Sequence, residues 1–309
     1  MTSLRDAVRK AVRVLAGAGI DSAEADAVAL VASVLRTTTS EVHKLMIMGA
    51  PVPDGLADLV AERARRVPLQ HLTGKAGFRR LELSVGPGVF LPRFETELVA
   101  GLAITHLRKP RDGAGQLGAN LGLPGPGLPG LGLPGLGLPV LIVDLCTGSG
   151  AIALAIKDEV PGAEVHAVEL SELAHAWAIR NRDDLGLDVD IRLGDATLAF
   201  PDLEARVDVV VSNPPYIPVG AVPKDPEVRD HDPQIALYGG SSDGLRVPLE
   251  VAARAGVLLR PGGFLVMEHA DVQGESLPAA LLKTGLWLDI QDYEDLNGRP
   301  RAVTAVRAG

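Results

Sequence analysis

The residues best equipped for chemistry in this chain are Asn213-Pro214-Pro215-Tyr216, which follow the apolar run Val207-Asp208-Val209-Val210-Val211-Ser212. In an open α/β sheet the carboxyl end of a strand is where ligands bind. An Asn side chain offers a carbonyl acceptor and an NH2 donor. Two prolines fix φ at about −65° and remove backbone N–H groups, so backbone carbonyls can face a site without competing donors. The tyrosine adds an aromatic wall for a flat group. Together they suit the gripping of a planar amide or amine nitrogen. A proline-rich turn after a strand is the blander reading of the same four residues.

Upstream, Val140-Leu141-Ile142-Val143 reads as a short strand, followed by Asp144-Leu145-Cys146-Thr147-Gly148-Ser149-Gly150 and a helical stretch, Ala151-Ile152-Ala153-Leu154-Ala155-Ile156. Strand, glycine turn and helix is the geometry of a nucleotide site: glycines let a ligand approach the backbone, and a helix N-terminus lies beside it. Gly148-x-Gly150 falls short of the G-x-G-x-x-G fingerprint, and no P-loop lysine follows. A carboxylate at Asp144 would repel a pyrophosphate and suits a cationic ligand, such as one with a free amino group. About 25 residues on, Val165-His166-Ala167-Val168 ends in Glu169, placed to accept hydrogen bonds from both ribose hydroxyls; capping of the next helix is the alternative. Ile191-Arg192-Leu193-Gly194-Asp195-Ala196 is a third strand ending in an acid, where an adenine amino group would be read.

In this order the motifs resemble a class I S-adenosylmethionine (AdoMet)-dependent methyltransferase acting on an amide or amino nitrogen. Leu69-Gln70-His71-Leu72-Thr73-Gly74, Phe90-Leu91-Pro92-Arg93-Phe94-Glu95-Thr96-Glu97 and the tail Asp292-Tyr293-Glu294-Asp295-Leu296-Asn297-Gly298-Arg299-Pro300-Arg301 are similar to the HemK/PrmC family, the protein-(glutamine-N5) methyltransferases of peptide chain release factors. The resemblance covers nearly all of the chain except 113–139. It implies a Rossmann-like α/β sheet with a small N-terminal helical bundle: a substrate-recognition domain over 1–74, a β-hairpin linker over 75–92 and the methyltransferase domain over 93–309. It also implies AdoMet as cofactor and class I release factors as the protein substrate, methylated on the glutamine of their Gly-Gly-Gln loop.

On this resemblance Asn213, Pro214 and Tyr216 are the catalytic residues, and Pro215 completes the substrate loop. The Asn213 side-chain carbonyl and the Pro214 backbone carbonyl would each accept one N–H of the amide, with Tyr216 packed on its plane. No catalytic base is assigned, because a methylated amide nitrogen can lose its proton after attack. Asp144 holds the methionine end of AdoMet or orders the loop that does. Leu145, Cys146, Thr147, Gly148 and Gly150 form that loop, Glu169 takes the ribose, and Asp195 and Ala196 lie on the adenine side, with Asn213 also bordering the cofactor. Phe90, Arg93 and Thr96 are expected to line the AdoMet pocket, an Arg–Glu surface pair beside a helix start being the alternative. Cys146 stands where the family uses glycine; it is expected to place only a small side chain there, disturbance of the turn by its Cβ with lower cofactor affinity being the alternative. A nucleophilic role for its thiol lacks a partner in the sequence.

The bulk composition sets outer bounds. A chain of 309 residues, 47% hydrophobic and 22% charged, is long enough for two domains and an ordinary globular core. A net charge of −9 argues against a broad phosphate-binding surface. One cysteine excludes an internal disulfide framework and fits a reducing cytosol, and no signal-like or membrane-spanning run is visible, so a cytoplasmic protein is expected. None of the seven histidines has metal-ligand spacing. A nucleic-acid adenine-N6 or guanine-N2 methyltransferase is the main rival, since a flipped base presents a similar amine. It would need a basic or aromatic module, whereas aromatic residues are 3% and Arg63-x-Arg65-Arg66 is the bundle's basic cluster. A non-catalytic AdoMet- or release-factor-binding protein is the second rival, against which intact Asn213 and Glu169 speak.

Positioning elements follow from pattern. Ser3-x-x-Asp6 and Asp21-x-x-Glu24 read as helix starts, and Leu4, Val8, Ala11, Leu15, then Ala25, Val28, Ala32, Leu35 recur at helical spacing. Helical segments at 40–46 and 53–67 complete the bundle. A hairpin is expected around Gly86-Pro87-Gly88, then a helix over 95–107. The Gly-Leu-Pro repeats of 113–139 defeat both helix and strand and read as a flexible insertion before the first strand of the sheet. Helices at 171–184, 244–259 and 272–283 alternate with strands at 189–193, 207–211 and 263–268. Strands near 286–291 and 302–307 complete the sheet, the resemblance implying that these two pair antiparallel, and Pro261-Gly262-Gly263 forms a tight entry into the fifth strand.

Overall fold

The structure is a computed structural model that describes residues 3–108 and 139–309. The stretch expected to be a flexible insertion, 113–139, lies outside the described residues except for its last position. In chain order the elements are α1 (Leu4–Gly17), α2 (Ala23–Leu35), α3 (Thr39–Ile47), α4 (Leu56–Ala64), α5 (Leu69–Thr73), β1 (Lys75–Phe78), β2 (Leu81–Ser84), α6 (Thr96–Arg108), β3 (Leu141–Leu145), α7 (Ala151–Glu159), β4 (Glu164–Glu169), α8 (Glu172–Leu185), β5 (Asp190–Leu193), β6 (Val207–Ser212), α9 (Pro226–His231), α10 (Arg246–Leu258), β7 (Leu259–Glu268), α11 (Ser276–Lys283), β8 (Trp287–Glu294) and β9 (Pro300–Arg307). They form two compact units. One comprises Met1–Ala76, Val85–Pro87 and Val222–Asp232; the other Gly77–Ser84, Gly88–Ala221 and Pro233–Gly309. No helix among the described residues is long and apolar enough to cross a membrane.

The first unit is a helical bundle. Ser3 caps α1 by accepting the Asp6 N–H, and Leu4, Val8, Ala11 and Leu15 are buried on one face, as their spacing predicts. Two expectations for α2 need correction. Asp21 does not start it: Ser22 occupies the N-cap and instead donates its hydroxyl to Asp26. The buried face runs through Ala23, Ala27, Val28, Leu30 and Val31, whereas Ala25 and Leu35 are exposed. An apolar, alanine-rich helix offers several possible stripes, and packing against α1 selects among them.

A charged knot sits inside this unit. Arg63 Nε lies 2.7 Å from Asp26 Oδ2, and its Nη1 lies 2.7 Å from Glu227 Oε1. Arg66 Nη2 lies 2.7 Å from Glu227 Oε2. Burial alone would lower the Arg63 pKa, but hydrogen bonds to Asp26 and Glu227 raise it. The Arg63-x-Arg65-Arg66 cluster is therefore not a solvated basic face: two of its three members hold α9 against the bundle.

The second unit is a seven-stranded sheet in the order β5-β4-β3-β6-β7-β9-β8. Strands β3 to β7 run parallel, and β9 pairs antiparallel with both β7 and β8. The central strands β3 and β6 are buried at every position, which explains why they are mostly apolar. Of their three polar residues, Asp144, Asp208 and Ser212, Asp208 accepts the Leu141 N–H at 2.9 Å and Arg260 Nε at 2.8 Å, tying the starts of β3 and β7 to β6. Pro261-Gly262-Gly263 lies within β7 rather than before it, and the pairing skips from Val207–Leu259 to Val209–Phe264 across it.

The hairpin is β1-β2, turning at Arg79-Arg80 and not at Gly86-Pro87-Gly88. Arg79 adopts φ +53°, held there by its N–H to Glu97 Oε1 and its guanidinium to Glu159 Oε1. These partners are distant in sequence, so no local turn signal marks the site.

Removing one member of a buried ion cluster leaves the others uncompensated. Arg63→Ala is expected to destabilise the bundle by ~3–5 kcal/mol, read as loss of its cooperative transition in denaturant titrations followed by circular dichroism.

Candidate active site

The chain runs outward from β3 through β4 to β5, then returns to place β6 on the other side of β3. The crevice at such a reversal is where open α/β sheets bind ligands. Register aligns its parts: Leu145 pairs with Val168 on one side and Ser212 on the other, and Ser212 pairs with Met267. Cys146, Glu169, Asn213 and Glu268 therefore leave the sheet side by side. Ser212 Oγ donates to the Leu145 carbonyl at 2.6 Å, locking β3 to β6 directly beneath them.

Asp144 is fully buried under the glycine loop. Its Oδ2 accepts the Thr147 hydroxyl at 2.6 Å and the Ala153 N–H at 3.2 Å, so it fastens the loop to the first turn of α7. Burial pushes its pKa up to about 7 against the pull of those bonds. Oδ1 has no hydrogen-bond partner, leaving one acceptor beneath the loop. Of the two roles open to Asp144, ordering the loop is the one this geometry describes. Thr147 also donates its N–H to the Val168 carbonyl. Gly150 caps α7 at φ +85°, and a Cβ there would meet Leu154 Cδ1 at 2.9 Å.

Cys146 itself has φ +67°, a left-handed conformation that glycine adopts freely and a side chain resists. Its side chain packs against the core cluster that includes Leu145 and Leu245. Burial and the carboxylates of Glu169 and Asp144 push the thiol pKa up, which keeps it protonated and unreactive.

Glu169 Oε2 accepts the Gly148 N–H and Oε1 the Ser171 N–H, each at 2.8 Å. The residue thus pins the glycine loop and steadies the start of α8. Each carboxylate oxygen retains a lone pair for a further donor. Asp195 is exposed and spends Oδ1 on the backbone and hydroxyl of Thr197; Ala196 beside it is buried. These two stand at the β5 end of the crevice, apart from the bonded loop.

At the other side Pro214 is buried, and Asn213, Pro215 and Tyr216 are half-buried. Asn213 Nδ2 donates to Thr96 Oγ1 at 3.3 Å, which brings the start of α6 to the loop. Tyr216 is anchored at both ends. Its hydroxyl donates to Glu268 Oε1 at 3.1 Å, and its carbonyl accepts Gln273 Nε2 at 3.0 Å. Gly244, at φ +74°, passes so close that a Cβ would stand 2.1 Å from that carbonyl. Arg93 lies over the Phe90 ring at 5.2 Å and acts electrostatically on Tyr216. Burial, then Glu268, pushes the Tyr216 hydroxyl pKa up.

Three residues of this site carried no role in the sequence reading. Glu268 ends β7 as Asp144 and Glu169 lie at the ends of theirs, and that shared position was a usable signal. Arg301 faces the same group and acts on Glu268, held by Asp295 Oδ2 at 3.3 Å. Gln273 reaches Tyr216 from the short 3-10 turn Asp271–Gln273, where the helix expected from 272 has not yet begun; that helix starts at Ser276.

A row of acids along the crevice, with no metal-binding cluster among the described residues, fits a cationic ligand bearing ribose hydroxyls. With the antiparallel pair at the sheet's edge, this makes the chain a class I AdoMet-dependent methyltransferase. Residues 6–74 match the PrmC N-terminal domain model and 138–224 the methyltransferase small domain model. Release factor glutamine methyltransferase of Streptomyces coelicolor is 46% identical over 314 residues, covering 100% of this chain and 99% of that protein. The protein of the same name from Mycolicibacterium smegmatis is 42% identical over 99% of each. The 4-amino-L-phenylalanine/4-methylamino-L-phenylalanine methyltransferase of Streptomyces pristinaespiralis is 37% identical over 99% of this chain and 95% of that one. The chain belongs to the release factor glutamine methyltransferase family.

Two substitutions separate the backbone and thiol contributions of Cys146. Cys146→Gly is expected to keep turnover within a few-fold of wild type. Cys146→Val, β-branched at positive φ, should weaken AdoMet binding by about 1–3 kcal/mol, measured by calorimetry.

Proposed function

We propose that this enzyme methylates the side-chain N5 of the glutamine in the Gly-Gly-Gln loop of class I peptide chain release factors, in the cytoplasm and without direct nucleic-acid contact. The observation that carries the reading is Asn213: its NH2 is engaged by Thr96, so its carbonyl is left for a substrate N–H. AdoMet, when bound, supplies a methyl group already activated on a sulfonium. The protein's task is then to hold a weak amide nucleophile in line. Asn213 Oδ1 and the Pro214 carbonyl each accept one amide N–H, which fixes the nitrogen and stabilises positive charge developing on it. Tyr216, tethered through its hydroxyl and its carbonyl, offers its ring face to the amide plane. Asp144, Leu145, Cys146, Thr147, Gly148 and Gly150 shape the methionine side of the cofactor, Glu169 takes the ribose, and Asp195 with Ala196 borders the adenine. Phe90, Arg93 and Thr96 close the pocket from the start of α6, and the helical unit recognises the release factor.

The relative named for aromatic amines gives a specific competing substrate, since a 4-amino-phenylalanine nitrogen is also planar and carries two N–H groups. Incubation with labelled AdoMet and a purified release factor, 4-amino-L-phenylalanine or nucleic acid, followed by mass mapping, decides among them. Label on the Gly-Gly-Gln glutamine is expected. Label confined to the free amino acid or to nucleic acid would replace this reading. In the same assay Asn213→Ala should lose about 100-fold in kcat, the scale for one preorganised hydrogen-bonding group.

Glu169→Ala should weaken AdoMet by roughly 1.5–3 kcal/mol. Glu169→Gln keeps an acceptor for one of the two N–H bonds and should lose less. Equal affinity of all three proteins by calorimetry would remove Glu169 from the ribose site.

A further inference from the structure

One short stretch of chain holds Tyr216 at its hydroxyl and at its carbonyl. Glu268, at the end of β7, takes the hydroxyl, and Gln273, in the turn that follows, takes the carbonyl. Gln273 is 2% exposed, which closes its bonds to solvent. Its Nε2 donates one N–H to the Tyr216 carbonyl at 3.0 Å and the other to the Asp243 carbonyl at 2.8 Å. Its Oε1 accepts the Ala270 N–H at 2.9 Å. A backbone carbonyl only accepts and a backbone N–H only donates, so the amide has a single orientation.

The two carbonyls belong to segments that run side by side. Ile217 donates its N–H to the Leu237 carbonyl and accepts that of Gly239, and Val219 donates to the Ser241 carbonyl. At Gly244 a Cβ would stand 2.1 Å from the Tyr216 carbonyl and 2.9 Å from Gln273 Nε2, so nothing but this NH2 fits between the strands. Two buried carbonyls that converge need a donor, or each is left unsatisfied. The turn that supplies it is fixed in place. The buried His269 ring has Nδ1 2.8 Å from the Ala270 carbonyl and Nε2 2.7 Å from Asp292 Oδ2 of β8.

We propose that Gln273 is a positioning residue for methyl transfer, whose NH2 joins the Tyr216 and Asp243 carbonyls and so sets the plane of the ring against which the substrate amide lies. This rests on Tyr216 being the wall of the amide site. Gln273→Met keeps a similar volume and removes both donors. Gln273→Glu, when ionised, presents only acceptors to two carbonyls; when protonated it regains one O–H donor.

Gln273→Met is expected to lower kcat about 100-fold, the scale for a misplaced reacting group, with AdoMet affinity by calorimetry within about threefold. Turnover close to wild type, or AdoMet affinity that falls in step with kcat, would overturn the proposal. Gln273→Glu adds a readout that a packing role would not move. The ionisable groups on the elements around position 273 are Tyr216, Asp243, Glu268, His269, Asp292 and Arg301. Dividing kcat of Gln273→Glu by that of Gln273→Met at each pH cancels their titration. The ratio should rise about tenfold from about pH 9 to about pH 6, as the buried carboxylate takes a proton and one hydrogen bond returns. A constant ratio would overturn the proposal.

A third readout needs no substrate. Selective 13C labelling of the three tyrosine rings lets Tyr216, assigned through Tyr216→Phe, be followed by NMR in the AdoMet-bound enzyme. Its ring signal should shift and its ring flips quicken in Gln273→Met. An unchanged Tyr216 signal would exclude the clamp whatever the enzyme methylates. Wild type that leaves release factor unlabelled, while the Tyr216 signal still responds to Gln273→Met, would refute the proposed substrate and keep the clamp.

Discussion

The constraint on which the rest depends is the register of four neighbouring parallel strands, β4-β3-β6-β7. Because Val168, Leu145, Ser212 and Met267 pair in a row, the next residues emerge together at one edge. Three of the four carry polar or charged side chains, Glu169, Asn213 and Glu268. A slip of one residue in any strand would turn its side chains to the opposite face. The burial of β3 and β6 on both sides prevents this, since a slip would drive Asp144 or Asp208 away from the partners that satisfy them. Apolar burial therefore sets the position of the polar groups. Each buried Val, Ile or Leu contributes about 1.5–3 kcal/mol, and the site uses the geometric precision that these contributions enforce.

How much was legible in the sequence follows from how local each cause is. An apolar run ending in an acid is local, so the strands and the places of Asp144 and Glu169 could be read directly. The two edge strands β8 and β9 were read from their own pattern, while their antiparallel pairing came from the family resemblance. Glu268 carries the same signature after Phe264-Leu265-Val266-Met267, but nothing in its neighbourhood says that the Tyr216 hydroxyl reaches it. The hairpin turn was misplaced for the opposite reason. Gly86-Pro87-Gly88 is a loud local signal, whereas Arg79-Arg80 turns only because Glu97 and Glu159 hold Arg79 there. The charged knot of Arg63, Asp26 and Glu227 was likewise hidden, since its members lie 37 and 164 residues apart.

Cys146 shows where sequence reasoning reached the right residue with an incomplete cause. A small side chain was expected there, with disturbance of the turn by its Cβ as the alternative. The observed difficulty is conformational: φ is +67°, a cost of order 1–3 kcal/mol for a residue with a Cβ. The Thr147–Asp144 bond, the Thr147 N–H to Val168 and the Glu169–Gly148 bond impose the turn from both sides. The thiol also gains contact with the core. The loop is thus determined by its neighbours, and residue 146 follows the conformation they set.

Burial acts on the two ends of the crevice in different ways. Asp144 and Glu268 are both enclosed, and both have pKa values raised to about 7. Each also has one carboxylate oxygen without a hydrogen-bond partner. A protein selected for stability alone would avoid two such groups, because an under-satisfied buried acceptor costs about 1–3 kcal/mol. At Asp144 the strain lies beneath a backbone loop, and its bonds to Thr147 and Ala153 convert it into loop rigidity. At Glu268 the carboxylate takes the Tyr216 hydroxyl directly and so anchors the ring that ends the Asn-Pro-Pro-Tyr loop. A carboxylate in water would polarise that hydroxyl only weakly; enclosed in a medium of low dielectric, it orients it. The same enclosure that destabilises Glu268 is what gives it hold over the orientation of Tyr216.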